Sequence, residues 1–123
     1  MKRHPTPFLA DPEPADLSEA EVVILPIPYE GGVTYGPGAA GGPDAILAAS
    51  EQVEFYDAAL KSDARGMGIA TLAPPDANAW TSPEAMDAAV YAWVDELVTD
   101  GKFVVTLGGD HSVTPACVRA QSQ

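Results

Sequence analysis

Phe103-Val104-Val105-Thr106-Leu107-Gly108-Gly109-Asp110-His111-Ser112 is the stretch on which the fold turns. A short apolar run, rich in β-branched and aromatic residues, stops at two glycines. A carboxylate, an imidazole and a hydroxyl follow in a row. Apolar on both faces and bounded by breakers, the run predicts a buried strand of a parallel sheet. Gly108 and Gly109 allow a tight turn and close backbone approach at its carboxyl end. In open α/β sheets that end is where ligands and chemistry sit, so His111 stands where a metal or a substrate would be.

Working outward, the 123 residues match one ordinary domain with a core of moderate size. A hydrophobic content of 46% with 20% charged residues suits a globular chain rather than a disordered one. The net charge of −12 argues against nucleic acid and against anionic membrane surfaces. It favours cationic small molecules or metal ions only weakly, because most surface carboxylates merely solvate. Cys117 is the single cysteine, which rules out a disulfide within the chain and a zinc ribbon and fits a cytoplasmic location. Met1-Lys2-Arg3-His4 is basic, but prolines and acids follow it, so it is not a secretory signal. No apolar stretch approaches the roughly 20 residues needed to span a bilayer.

Residues 1–21 read as a proline-rich acidic arm extended over the surface, with His4 a solvated tail histidine rather than a ligand. Val22 to Pro28 predicts the first strand. Pro26 and Pro28 cannot donate ladder bonds, so it should end there or lose pairing on one side. Tyr29 to Gly42 is a long glycine-rich loop, a kind commonly functional in compact domains. It lacks the Gly-Lys-Ser/Thr of a P-loop and the spacing of a dinucleotide fingerprint. Tyr29, Thr34, Tyr35 and Gly36 mark it as a folded loop over an active-site mouth or a subunit boundary. Pro43 and Asp44 open a helix running to about Ser50. Val53 to Tyr56 alternates weakly and predicts a short edge strand, and Met67 to Leu72 predicts another strand before Pro74 and Pro75.

The clearest helix follows, with a Thr81/Glu84 capping box, Pro83 in the first turn and Gly101 just past its end. Its buried stripe is Met86, Ala89, Val90, Trp93, Val94 and Leu97, with Asp87, Asp95 and Glu96 largely opposite. It serves as a right-handed crossover back to the Phe103 strand. Pro115 can start one more helix.

Asp110-His111-Ser112 cannot be a hydrolytic triad, because three consecutive residues do not normally form the required chain of hydrogen bonds. Two readings stay even on residue types alone. In one, His111 ligates a metal while Asp110 orients the backbone or a ligand. In the other, Asp110 caps the following helix and His111 packs.

Leu107-Gly108-Gly109-Asp110-His111-Ser112, ending an apolar strand, resembles the first metal motif of the ureohydrolase family of arginases and agmatinases. Val23 to Ala39, with Gly42-Pro43-Asp44-Ala45-Ile46 and Ala49-Ser50, is similar to the amino-terminal segment of the agmatinase branch. The resemblance runs from about Val22 onward. It implies an α/β fold, a three-layer α/β/α sandwich with a mainly parallel sheet (arginase/deacetylase-like), of which 22–123 is the incomplete N-terminal part. It also implies a hydrolase of C–N bonds in linear amidines. The resemblance further implies two manganese ions (Mn2+) that would activate a water to attack the guanidinium carbon of a small cationic guanidino substrate, releasing urea and an amine. With agmatine the amine is putrescine. A homo-oligomer is implied at full length.

By that resemblance His111 is the first histidine ligand, with Gly108, Gly109, Asp110 and Ser112 shaping its turn. The family's remaining ligands lie in an Asp-x-His-x-Asp and a later Asp-x-Asp motif, and neither occurs in this sequence. The expectation is a partial agmatinase-like ureohydrolase with no catalytic residue of its own, inactive alone. Guanidinobutyrase and formimidoylglutamase are alternatives within the family. A catalytically inactive binding or assembly module is the alternative outside it.

Overall fold

The computed structural model describes residues 1–75 and 80–122. In chain order the elements are β1 (Val22–Ile27), α1 (Gly42–Ser50), the two-residue strands β2 (Tyr56–Asp57) and β3 (Ser62–Asp63), β4 (Ile69–Thr71), α2 (Pro83–Thr99), β5 (Phe103–Gly108) and α3 (Thr114–Gln121). β1 lies at the centre of a three-stranded sheet of order β4-β1-β5, parallel throughout. Val22 stands opposite both Ile69 and Phe103, and Ile27 opposite Gly108.

Alternation along β1 distributes its side chains to two cores. Val23, Leu25 and Ile27 join Met86, Val90, Val94 and Leu97 of α2 and Ala116 and Ala120 of α3. Ile24 turns the other way, to Leu9, Leu47 and Ile69. A strand buried on both faces has no polar face to show, which is why β1 reads as a continuous apolar run. Full burial of a Leu or Ile side chain is worth roughly 1.5–3 kcal/mol, so Leu25 and Ile27 anchor the sheet. Helices cover both faces, giving the three-layer α/β/α architecture.

Pro26 sits inside β1 rather than ending it, and the register explains how. Val22 donates to Gly68 and Ile24 accepts from Leu72 on the β4 side, whereas Glu21 and Ile27 accept from Phe103 and Gly109 on the β5 side. Even-numbered residues therefore face β4, whose pairing stops at Ile24. The N–H that Pro26 lacks would have pointed where no ladder remains.

Five local expectations need correction. The cap of α2 is Ser82, whose Oγ accepts from Ala85 N at 3.1 Å, and Thr81 lies one residue outside. Val53 to Phe55 is loop, and only Tyr56 of that segment pairs, in the hairpin β2–β3. Met67 closes a 3-10 turn, so β4 is shorter than its apolar run. β5 has no partner on its outer side among the described residues and is less buried than its apolar run predicts, with Phe103 69% exposed and Val104 its one buried residue. The amino-terminal arm is pinned down: Arg3 bridges antiparallel to Leu72, Phe8 N donates to Thr71 Oγ1 and Leu9 N to Ser50 Oγ. His4 is accordingly buried, not solvated.

At its other end α2 stops as predicted. Gly101, at φ 76°, lets its own N–H reach Val98 O and the Lys102 N–H reach Leu97 O. α3 begins after a 3-10 turn over His111–Val113, with Pro115 in its first turn.

Candidate functional site

β1 and β5 run in register to the same end of the sheet, so the chain leaving Ile27 and the chain leaving Gly108 emerge side by side. They stay together past the last strand residues. Gly109 N donates to Ile27 O at 2.9 Å and Asp110 N to Tyr29 O at 2.8 Å. A Cβ on Gly109 would lie 2.0 Å from Tyr29 O. Glycine is required here for close backbone approach, not for an unusual φ.

Asp110 begins the 3-10 turn as its cap. Its Oδ1 accepts from Ser112 N at 2.9 Å and from the Ser112 hydroxyl, and its Oδ2 accepts from Gly32 N at 2.7 Å. Burial pushes its carboxyl up, but the Ser112 hydroxyl and the N–H groups of Gly32 and Ser112 outweigh it. The net effect holds Asp110 below its ordinary value. Both oxygens are thus committed to the protein. His111 differs: its side chain is exposed, and Nδ1 lies 3.2 Å from Thr114 Oγ1. Capping falls to Asp110, while His111 stays out of the core.

The glycine-rich loop is tied at a second place. Glu30 Oε2 accepts from Gly38 N at 2.9 Å and Ala40 N at 3.0 Å. The Ala40 and Gly38 bonds hold its carboxyl below the ordinary value. Tyr29 does not face the loop's outside. Its ring is buried against Trp80, edge-on with centroids 5.9 Å apart. Thr34 and Gly36 are exposed, Gly36 at φ 73°, and Tyr35 is 99% exposed. Glu30 and Gly32 were not singled out in the sequence, although an acid opening a glycine-rich segment signals capture of backbone N–H groups.

As a metal site the described residues offer one donor. His111 fits an imidazole ligand: exposed, and placed at a strand's carboxyl end. Asp110 uses both oxygens to hold the turn and the loop. Among the described residues no group of three His, Cys, Asp or Glu side chains could hold an ion. Cys117 is buried in α3, its Sγ 3.3 Å from Val113 O, and burial pushes its thiol up. No helix among the described residues is long and apolar enough to cross a membrane.

An α/β/α sandwich with a histidine turn at the carboxyl edge of a parallel sheet defines the class, and comparison with known proteins places the chain in it. A sequence profile of the arginase family matches residues 20–123. The chain belongs to the arginase family. It is 40% identical to the N(1)-aminopropylagmatine ureohydrolase of Synechocystis sp., over 97% of this chain and 40% of that protein. With the enzyme of the same name from Thermus thermophilus it shares 37% identity, over 85% of this chain and 36% of that one. The solved agmatine ureohydrolase of Thermoplasma volcanium superposes with a TM-score of 0.73 at 27% identity, covering 98% of this chain and 38% of that one. The chain thus spans about 40% or less of the relatives it matches.

Proposed function

We propose that this chain supplies the first metal-binding turn of a manganese-dependent ureohydrolase of agmatinase type. The carrying observation is His111, exposed at the carboxyl end of β5, in a chain of the arginase family. The reaction is hydrolysis of a guanidino C–N bond to urea and an amine, and the substrate class is a cationic guanidino amine. Agmatine, giving putrescine, is one member. The relatives named for aminopropylagmatine favour that longer polyamine derivative beside it.

When bound, a manganese pair lowers the pKa of a shared water towards neutrality. This chain's part is narrower. His111 offers one imidazole, Asp110 holds the turn that presents it, and the braced glycine-rich loop flanks it. The remaining donors must come from residues other than those described here, since one imidazole does not make a manganese site. Homo-oligomeric assembly and a cytoplasmic location belong to the same reading. The alternative is an assembly module without catalysis.

The test is urea release by the complete gene product with Mn2+ from agmatine, N1-aminopropylagmatine and 4-guanidinobutyrate. Turnover of the two amines above the guanidino acid is expected. A product that binds no Mn2+ and releases no urea would leave the assembly reading in possession.

A further inference from the structure

We propose that Asp110 is a positioning residue that makes the glycine-rich loop and the His111 turn one structural unit, so that loop and imidazole are placed together. A cap for the 3-10 turn needs only one carboxylate oxygen, and Oδ1 does that work through Ser112 N and the Ser112 hydroxyl. Oδ2 is aimed elsewhere, at Gly32 N, 2.7 Å away and 78 residues earlier in the sequence. Such a bond to an ionised acceptor is among the stronger ones a protein makes.

The backbone contacts below it make the coupling stiff. Asp110 N is held by Tyr29 O at 2.8 Å and Gly109 N by Ile27 O at 2.9 Å, so the carboxylate rises from a fixed base. Gly32 fits against the same group closely. A Cβ there would stand 3.2 Å from Asp110 Oδ2 and 3.3 Å from Ser112 Oγ. Glu30 secures the loop's far side through Gly38 and Ala40. Between the two fixed points lie the exposed residues Val33, Thr34 and Tyr35. Displacing Gly32 must therefore disturb the Ser112–Asp110 bonds, and losing the carboxylate must free the loop at its near side. For activity, which rests on the ureohydrolase reading, the loop flanks the crevice where the substrate enters. Its position then acts on substrate binding.

The test uses the complete gene product and two variants, followed by amide hydrogen exchange with mass spectrometry. In Asp110→Asn the amide oxygen remains with Ser112 and an N–H2 group confronts the Gly32 N–H. Exchange at Gly32 should rise about 10-fold or more, while Gly38 and Ala40 stay near wild type. In Gly32→Ala the new methyl presses on Asp110, and exchange at Ser112 should rise although nothing in the turn has been replaced. If each variant alters only its own segment, the unit does not exist and the proposal is overturned.

Kinetics at saturating Mn2+ add a reading that a merely structural role would not give. Asp110→Asn should raise KM for agmatine by a larger factor than it lowers kcat. A fall in kcat with KM unmoved would mean that Asp110 serves the His111 turn alone. A wild type that releases no urea counts against the substrate assignment, and the exchange result still decides the coupling.

Discussion

His4 lies against the outer edge of β4 and His111 follows β5 at the opposite edge of the sheet, and their surroundings are opposed. His4 is 8% exposed, receives the Thr6 N–H on Nδ1 at 3.0 Å, and has Nε2 3.3 Å from Asp44 Oδ1. It seals its edge, its own N–H donating to Thr71 O. His111 is exposed and touches Thr114 by one nitrogen. Along β5 the backbone of Val104, Thr106 and Gly108 faces outward, and no described strand pairs with it. His4 is tied into the fold through both nitrogens, whereas His111 is held by its backbone with its ring exposed.

The comparison can be tested at five strengths. The largest effect belongs to His111→Ala in the complete gene product, which should cut urea turnover at least about 100-fold and leave the thermal unfolding midpoint unchanged. His4→Ala should leave turnover near wild type. Equal losses from both would erase the distinction.

On the sealed side, Ser50→Ala removes the hydroxyl that accepts from Leu9 N and donates to Leu47 O. It should cost about 1–3 kcal/mol, the penalty for an orphaned buried N–H, measured by urea unfolding. A value near zero would mean that the arm is not part of the cooperative fold. His4→Ala comes next, at about 1 kcal/mol. Asp44→Ala should cost less, because Asp44 is exposed and water screens its pairing with His4.

Acid gives the smallest effect. Glu30 is held below its ordinary value when the loop is closed, so its contribution is complete above the unfolded value and is lost as pH falls through the folded one. Exchange at Gly38 and Ala40, corrected for the intrinsic rate, should therefore rise on the acid side of the usual carboxylate range. Glu30→Gln should flatten that rise. A profile unaltered by Glu30→Gln would assign the loop's closure to other contacts.

Much of the fold was legible because each element carries its own local signal. Pro43, Pro83 and Pro115 lie at helix starts, Gly101 at a helix end, and β1 is apolar without interruption. The errors fall where neighbours decide. Thr81 and Ser82 are both competent caps, and only the approach of the chain selects Ser82. Phe103 to Leu107 reads as a buried strand, yet no described strand pairs with its outer side. The arm reads as an extended surface segment by composition, but backbone bonds tie it to β4 and α1.

The site divides along the same line. Gly-Gly-Asp-His-Ser by itself determined a turn at a strand's end with an imidazole on it, because two glycines and an acid cap are local chemistry. Only the tertiary structure decided which histidine is buried, which way Tyr29 points, and that Asp110 reaches Gly32. Those facts depend on pairs 40 to 78 residues apart: His4 with Asp44, Tyr29 with Trp80 and Gly32 with Asp110. Such pairs meet only because β1 lies between β4 and β5, a strand order that no single segment encodes.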